Sequence, residues 1–216
     1  MKRTPLSQQP QKQQTQFSMA LTKILRHSGI KLGINFTDEG YTKVSDLVKH
    51  KSLSKFMCDE NDVKFTAENC KKQRFGIKEI DGVLYIKANQ GHSIEFSDLE
   101  LKKISNTNEI PRAVHGTYYK YWPLIEQSGL NKMGRTHIHF AIGEYGSKDV
   151  ISGMRGSCEI LITLDVELCL KEGIPLEVSP NQVVLSKGVN GIISKKYFKS
   201  VVDLKTGKVL YTNQNN

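Results

Sequence analysis

Arg26-His27 sets a planar fork of hydrogen-bond donors beside a group that exchanges protons near neutral pH, a pair suited to gripping and working on a phosphate. A basic pair at a helix end also complements the helix dipole, so the dipeptide alone has two readings. Lys71-Lys72-Gln73-Arg74 lies just before a strand-like run and offers either a phosphate-binding edge or a solvated loop. Residues 87–93 (KANQGHS) crowd donors around a glycine, which can wrap a phosphate or a sugar or form an ordinary polar turn. His115-Gly116-Thr117 precedes Tyr118, Tyr119, Tyr121 and Trp122, aromatics that read as core before they read as a base-stacking platform. His137-Ile138-His139 alternates, so both imidazoles share one face of a strand. Neither a carboxylate nor a thiol stands at a spacing that completes a metal site there, which favours a ligand-facing or structural role. Ser152-Gly153-Met154-Arg155-Gly156 places an Arg between glycines, a turn that either receives an anion or only exposes a cation.

These residues need elements to hold them. Residues 8–16 (QQPQKQQTQ) contain six Gln and little to bury, so residues 1–16 read as a disordered tail. Phe17, Ala20, Leu21, Ile24 and Leu25 recur at helical spacing, with a stop near Ser28-Gly29. A second short helix opens around Ser45-Asp46, and a third covers roughly residues 60–70, starting at Asn61 or Thr66. Asp81-Gly82 between two strand-like runs is a hairpin signal, because both turn positions need positive φ. Three helices followed by a hairpin is the order of a winged helix. Residues 97–109 read as a polar link. Beyond it lie a helix over 118–127 ended by Gly129, strands over 137–142, 159–164, 182–185, 197–203 and 208–211, and a helix over 166–171. The expected class is α+β, with a first lobe over 17–100 and a strand-rich second lobe over 101–216.

The 216 residues carry 31 Lys plus Arg against 22 Asp plus Glu, a net +9 that favours an anionic partner without identifying one. Cut at residue 108, the surplus is +6 in the first part (18 basic, 12 acidic) and +3 in the second (13 and 10), so the first lobe is expected to be the more basic. No apolar run is long enough for a membrane span, and no apolar stretch follows Lys2-Arg3 as a secretory signal would require. The four cysteines form no C-x-x-C pair, which fits reduced thiols and an intracellular (cytoplasmic or nuclear) protein. The chain has no G-x-S-x-G, Walker loop or G-x-G-x-x-G, so serine hydrolases, P-loop ATPases and Rossmann dehydrogenases have no support.

Singly weak, these pieces occur in a specific order: Leu25-Arg26-His27, Gly40-Tyr41, Lys72-Gln73-Arg74-Phe75, Ala88-Asn89-Gln90-Gly91-His92-Ser93, His115-Gly116-Thr117, Gly129-Leu130, Arg135 with His137-Ile138-His139-Phe140-Ala141, and Ser152-Gly153-Met154-Arg155. The series resembles the NAD-dependent RNA 2'-phosphotransferase family over about residues 18–202. The resemblance implies a winged-helix RNA-binding lobe and an ADP-ribosyltransferase-like NAD-binding lobe. It implies a two-step removal of the internal 2'-phosphate from spliced tRNA or other RNA. A 2'-phospho-ADP-ribosyl RNA intermediate gives 2'-OH RNA, ADP-ribose 1'',2''-cyclic phosphate and nicotinamide. NAD is then a co-substrate, no metal is required, and no membrane is involved. The family's catalytic set maps onto Arg26, His27, Arg74 and Arg155. His115, Gly116, Thr117, Gly129, Leu130, Arg135, His137, Ser152 and Gly153 are expected to face NAD. Lys72, Lys87, His92 and Ser93 are expected to contact RNA, with Lys87 standing where many relatives have Arg. A monomer is expected. The alternatives are an ADP-ribosyltransferase that caps terminal phosphates and a non-enzymatic winged-helix binder, the latter leaving Arg155 and the second-lobe motifs without a use.

Overall fold

A computed structural model describes residues 3–143, 152–154 and 156–213, and its architecture is α+β. The chain divides into two compact units at the Glu100–Leu101 junction. With that division, 16 basic and 12 acidic residues fall in the first unit and 15 and 10 in the second. The surpluses become +4 and +5, so the first lobe is not the more basic one; Lys102 and Lys103 belong to the second unit.

In the first unit, α1 (Gln11–Lys23) runs straight into a π-helical turn over Ile24–Ser28, closed by Gly29 N–H donating to the Ile24 carbonyl at 2.8 Å. β1 (Thr42–Lys43), α2 (Val44–Lys49), α3 (Glu60–Glu68), β2 (Phe75–Ile80) and β3 (Val83–Ala88) follow. The strands form an antiparallel sheet in the order β1-β3-β2, and the hairpin turns at Asp81 and Gly82, both at positive φ, as the Asp-Gly signal requires. Phe17, Leu21, Ile24 and Leu25, at the expected helical spacing, bury one face of α1 against Val44, Leu47, Val63 and Ile86.

Two expectations fail in this unit. The start of α3 is neither Asn61 nor Thr66. Asp59 caps it, accepting from Asp62 N–H (3.0 Å), while the Asp62 carboxylate accepts from Asp59 N–H (3.1 Å). Nor is the Gln-rich stretch a disordered tail from residue 3 onward. Leu6 is 1% exposed in the core, its N–H donates to Asp62 Oδ1 at 2.7 Å, and Arg3 pairs with Asp59 and Asp62. Pro10 then caps α1, whose run of Gln is compatible with a helix once Leu6 anchors its start. The composition was right about polarity and silent about that anchor.

The second unit is built on an eight-stranded antiparallel sheet. In chain order its elements are β4 (Lys102–Lys103), β5 (Ala113–Thr117), α4 (Trp122–Ser128), β6 (Leu130–Asn131), β7 (Ile138–Ile142), β8 (Ile160–Leu164), α5 (Val166–Lys171), β9 (Glu177–Val178), β10 (Val183–Ser186), β11 (Ile192–Ile193), β12 (Phe198–Asp203) and β13 (Val209–Thr212). The sheet order is β13-β12-β8-β5-β7-β10-β9-β4, with β6 and β11 forming a separate pair. Ile138, Phe140, Ile160, Ile162 and Val184 fill the large core on one face. Val114, Ala141 and Leu161 form a smaller cluster with Met154 and Leu204 packed on it. The polar link therefore contains a strand, and His115-Gly116-Thr117 lies within β5 rather than in a loop. Tyr119 and Tyr121 are exposed, so that aromatic run is not core except for the partly buried Trp122. No helix among the described residues is long and apolar enough to cross a membrane.

Candidate phosphate and dinucleotide sites

Arg26 and His27 occupy the π-helical turn, where the helical repeat is locally widened, a feature common at functional positions. The loop after β3 clamps this turn. Ser93 N–H donates to the Arg26 carbonyl at 2.9 Å, and His27 Nδ1 lies 3.0 Å from Ser93 Oγ. The Ser93 hydroxyl also lies 3.4 Å from the Arg26 carbonyl, so it can donate there or to Nδ1. That contact orients the imidazole ring of His27.

The same loop holds Arg74. Asn89 N–H donates to the Arg74 carbonyl (2.9 Å) and Asn89 Nδ2 to the Gln73 carbonyl (2.8 Å), across a turn in which Gln73 takes φ +44°. Arg74 Nη1 reaches Cys70 Sγ at 3.4 Å. Gly91 sits at φ +89° with the Arg26 guanidinium laid against it; a Cβ there would stand 3.1 Å from Nη1. One five-residue loop, 89–93, thus fixes both arginine segments. His27 and Arg74 also border one groove of about 810 Å³, with Lys71 and Lys72 beside them.

The residues expected to meet RNA separate. Lys72 is exposed on the groove and Ser93 is exposed beside His27. His92 is buried edge-on against Phe96. Lys87 is 1% exposed, its ammonium paired with Glu100 and 4.7 Å above the Tyr41 ring. A charge inside a fold needs such a partner, and Glu100 supplies it. Burial and the adjacent Glu100 push the Tyr41 hydroxyl up to about 12, which keeps it a neutral donor to that carboxylate. Sequence spacing could not reveal Asn89 and Gly91 as organisers, because what they touch lies 15 to 16 and 65 residues upstream.

In the second unit the ladder between β5 and β7 stops at Val114↔Ala141. Beyond it β5 pairs only with β8, through Thr117↔Ile160, while β7 pairs with β10, through Ser186↔Ile138. Two neighbouring strands therefore diverge. His115 Nδ1 donates across the opening to the His139 carbonyl at 2.8 Å, and its ring meets Phe140 edge-on. Burial holds the His115 pKa below its usual 6.5; the bond to the His139 carbonyl pushes it up, and the charge of Arg135 pushes it down again. His115 and Arg135 are thus within electrostatic reach of each other.

Alternation puts His139 with Ala141, on the face opposite Ile138 and Phe140, as expected for that strand. His137 Nδ1 meets Thr136 Oγ1 at 2.8 Å, and its Nε2 lies 3.7 Å from Glu177, a carboxylate the linear spacing did not show. Among the described residues no group of three or more His, Cys, Asp or Glu is arranged to hold a metal. Ser152 is buried, and Gly153 (φ +95°) lies so close to Ala141 that a Cβ would come within 2.9 Å of its Cα. Gly116 similarly leaves no room beside Cys158 and Met154.

Two expected NAD-facing residues are closely packed. Gly129 ends α4 at φ +83°, where a Cβ would sit 2.4 Å from the Ile193 carbonyl, and Leu130 is buried in the large core. Thr117 is also buried, at the end of β5. Arg155 lies outside the described residues.

The family model described as "RNA 2'-phosphotransferase, Tpt1 / KptA family" matches residues 12–188. A "Putative tRNA 2'-phosphotransferase" of Schizosaccharomyces pombe is 41% identical over 93% of this chain, which spans only 54% of that longer protein. The "tRNA 2'-phosphotransferase 1" of Danio rerio is 41% identical over 87% of the chain and 85% of its own length. The Homo sapiens protein of the same name is 39% identical over 90% and 78%. With the family model covering residues 12–188 and relatives of about 40% identity matched over most of this chain, the chain belongs to the RNA 2'-phosphotransferase family, a family of transferases.

Proposed function

We propose that this chain is an intracellular, NAD-dependent enzyme that removes the internal 2'-phosphate from spliced tRNA or a similar RNA. The observation that carries the reading is the clamp of loop 89–93 on Arg26, His27 and Arg74, which pre-organises two guanidinium forks and one oriented imidazole. In this reading the first unit is a winged helix, and the second is an ADP-ribosyltransferase-like lobe whose diverging β5 and β7 receive the dinucleotide. Exposed Arg135, beside a neutral His115 at that opening, suits an anionic ligand. Arg155 would add a third guanidinium.

NAD supplies an activated ribose carbon and a leaving nicotinamide. The 2'-phosphate is already a nucleophile, so in the first step the chain's task is to hold it in place. In the second step the ribose 2''-hydroxyl attacks that phosphorus and the RNA 2'-oxygen departs. His27 Nε2 takes the proton from the incoming hydroxyl and returns it to the departing oxygen, so the imidazole ends as it began. Arg26, Arg74 and Arg155 stabilise the negative charge that crowds around phosphorus. The products are 2'-OH RNA and ADP-ribose 1'',2''-cyclic phosphate.

The test is incubation of the protein with a 2'-phosphorylated RNA oligonucleotide, with and without NAD. A 2'-hydroxyl RNA formed only with NAD supports the reading; a stable ADP-ribosyl adduct as the sole product, or no reaction, overturns it.

The state of His115 gives a separate expectation. An unfolded chain takes up its proton near 6.5, whereas the folded chain resists until the pH is lower. Stability from this group is therefore complete above about 6.5 and declines as pH falls from there toward the folded pKa. Between neutral and mildly acid pH, the urea midpoint of the wild type should drop further than that of His115→Gln. Equal drops would show that the imidazole does not carry the effect.

A further inference from the structure

We propose that the groove between α1 and α3 is the track for the single-stranded RNA flank that leads away from the 2'-phosphate, with Phe65 stacking on one of its bases; the inference rests on the functional reading above. The groove, about 810 Å³, begins at His27 and Arg74 and extends along one stripe of α1, through Thr22, Ser18 and Thr15 to Gln11. Those positions recur at three- to four-residue spacing, so they form a single face about 17 Å long at ~1.5 Å per residue. The Thr15 and Thr22 hydroxyls donate to the Gln11 and Ser18 carbonyls and can still accept from ribose hydroxyls, while the Gln11 amide and Ser18 hydroxyl can donate to phosphates, none of them selecting a sequence.

Phe65 lies on the opposite side, on α3. It is half-buried and stands outside the hydrophobic cluster that takes up Phe17, Phe36, Phe56 and Phe75. An aromatic ring set in a groove with Lys23, Lys71 and Lys72, and with no acidic lining among the described residues, has the makings of a single-strand nucleic-acid channel. The cations neutralise phosphates and the ring offers a surface that any base can cover. An acidic peptide would satisfy the lysines and leave the ring and the amide stripe without a matched partner. The groove is also continuous with the proposed phosphate grip, so a strand held at its 2'-phosphate has a lined path onward.

The experiment compares Phe65→Ala, Phe65→Leu and Thr15→Glu with the wild type on two substrates: a 2'-phosphorylated dinucleotide and a longer single-stranded oligonucleotide with the same modification. It also measures direct binding of the longer RNA by fluorescence anisotropy. Phe65→Ala should raise the KM and Kd for the longer RNA about 5- to 150-fold, the range of a lost base–aromatic stack, and leave kcat and the dinucleotide untouched. Phe65→Leu should fall close to Phe65→Ala, because it keeps bulk and loses the flat face. Thr15→Glu changes an exposed side chain on the helix surface and tests the track without threatening the fold. Equal effects on both substrates, unchanged affinity for the longer RNA, or displacement of that RNA by polyglutamate as readily as by unlabelled RNA would overturn the proposal. If the wild type binds the oligonucleotide but converts neither substrate, the functional reading fails, and the binding data alone judge the groove.

Discussion

Replacing His27 with Ala should leave the first chemical step standing and slow the second by about 10²- to 10⁴-fold, the usual worth of a positioned general acid or base. The asymmetry follows from the nucleophiles. A phosphate dianion attacks carbon without losing a proton, whereas a sugar hydroxyl attacking phosphorus must shed one and the departing RNA oxygen must gain one. His27→Ala should therefore accumulate 2'-phospho-ADP-ribosyl RNA and release nicotinamide, both visible by mass spectrometry and chromatography of a quenched time course. Ser93→Ala is the companion variant. It removes the hydroxyl that orients the ring from 3.0 Å, so it should show the same intermediate with a milder loss. Complete turnover by His27→Ala, or equal slowing of both steps, would remove the proton-transfer role from this imidazole.

How much of this was legible beforehand depended on the range of the interaction. Local signals transferred well. The Asp81-Gly82 hairpin, the helical stripe from Phe17 to Leu25 and the alternation at His137-Ile138-His139 all depend on neighbours a few residues away. What failed was set by distant partners. Leu6 orders the Gln-rich start because it reaches the core and Asp62, 56 residues further on. The burial of Lys87 against Glu100 and Tyr41 was likewise set by partners 13 and 46 residues away. Gly129 and Leu130 are set by a partner more than sixty residues away: Gly129 lies against the Ile193 carbonyl and Leu130 pairs with Ile193. Composition reports which side chains are available, and tertiary contacts decide which of them remain available to a ligand. The family was readable for a different reason: the ordered series of short motifs resembled it, although none of those motifs was decisive alone.

Arg26 provides the second large effect, and its expected pattern differs from that of His27. A guanidinium that holds the phosphate acts in both steps, first by positioning and then by stabilising charge at phosphorus. Arg26→Ala should lower kcat by about 10²- to 10³-fold, the typical loss for one electrostatic donor, and no intermediate should build up because entry into the pathway is slowed as well. Arg26→Lys keeps the charge and loses the two-pronged geometry, so it should recover only part of the rate. Gly91→Ala separates position from chemistry. It leaves Arg26 in the sequence but places a methyl 3.1 Å from Nη1 on a backbone at φ +89°, a conformation costing a non-glycine residue roughly 1–3 kcal/mol. Its rate should fall between those of Arg26→Lys and Arg26→Ala, with a lowered denaturation midpoint that Arg26→Lys does not share. Single-turnover kinetics on one 2'-phosphorylated RNA measure all three variants. If Arg26→Ala retained the wild-type rate while His27→Ala still trapped the adduct, the guanidinium on the π-helical turn would have no part in gripping the phosphate, and Arg74 and Arg155 would have to do so without it.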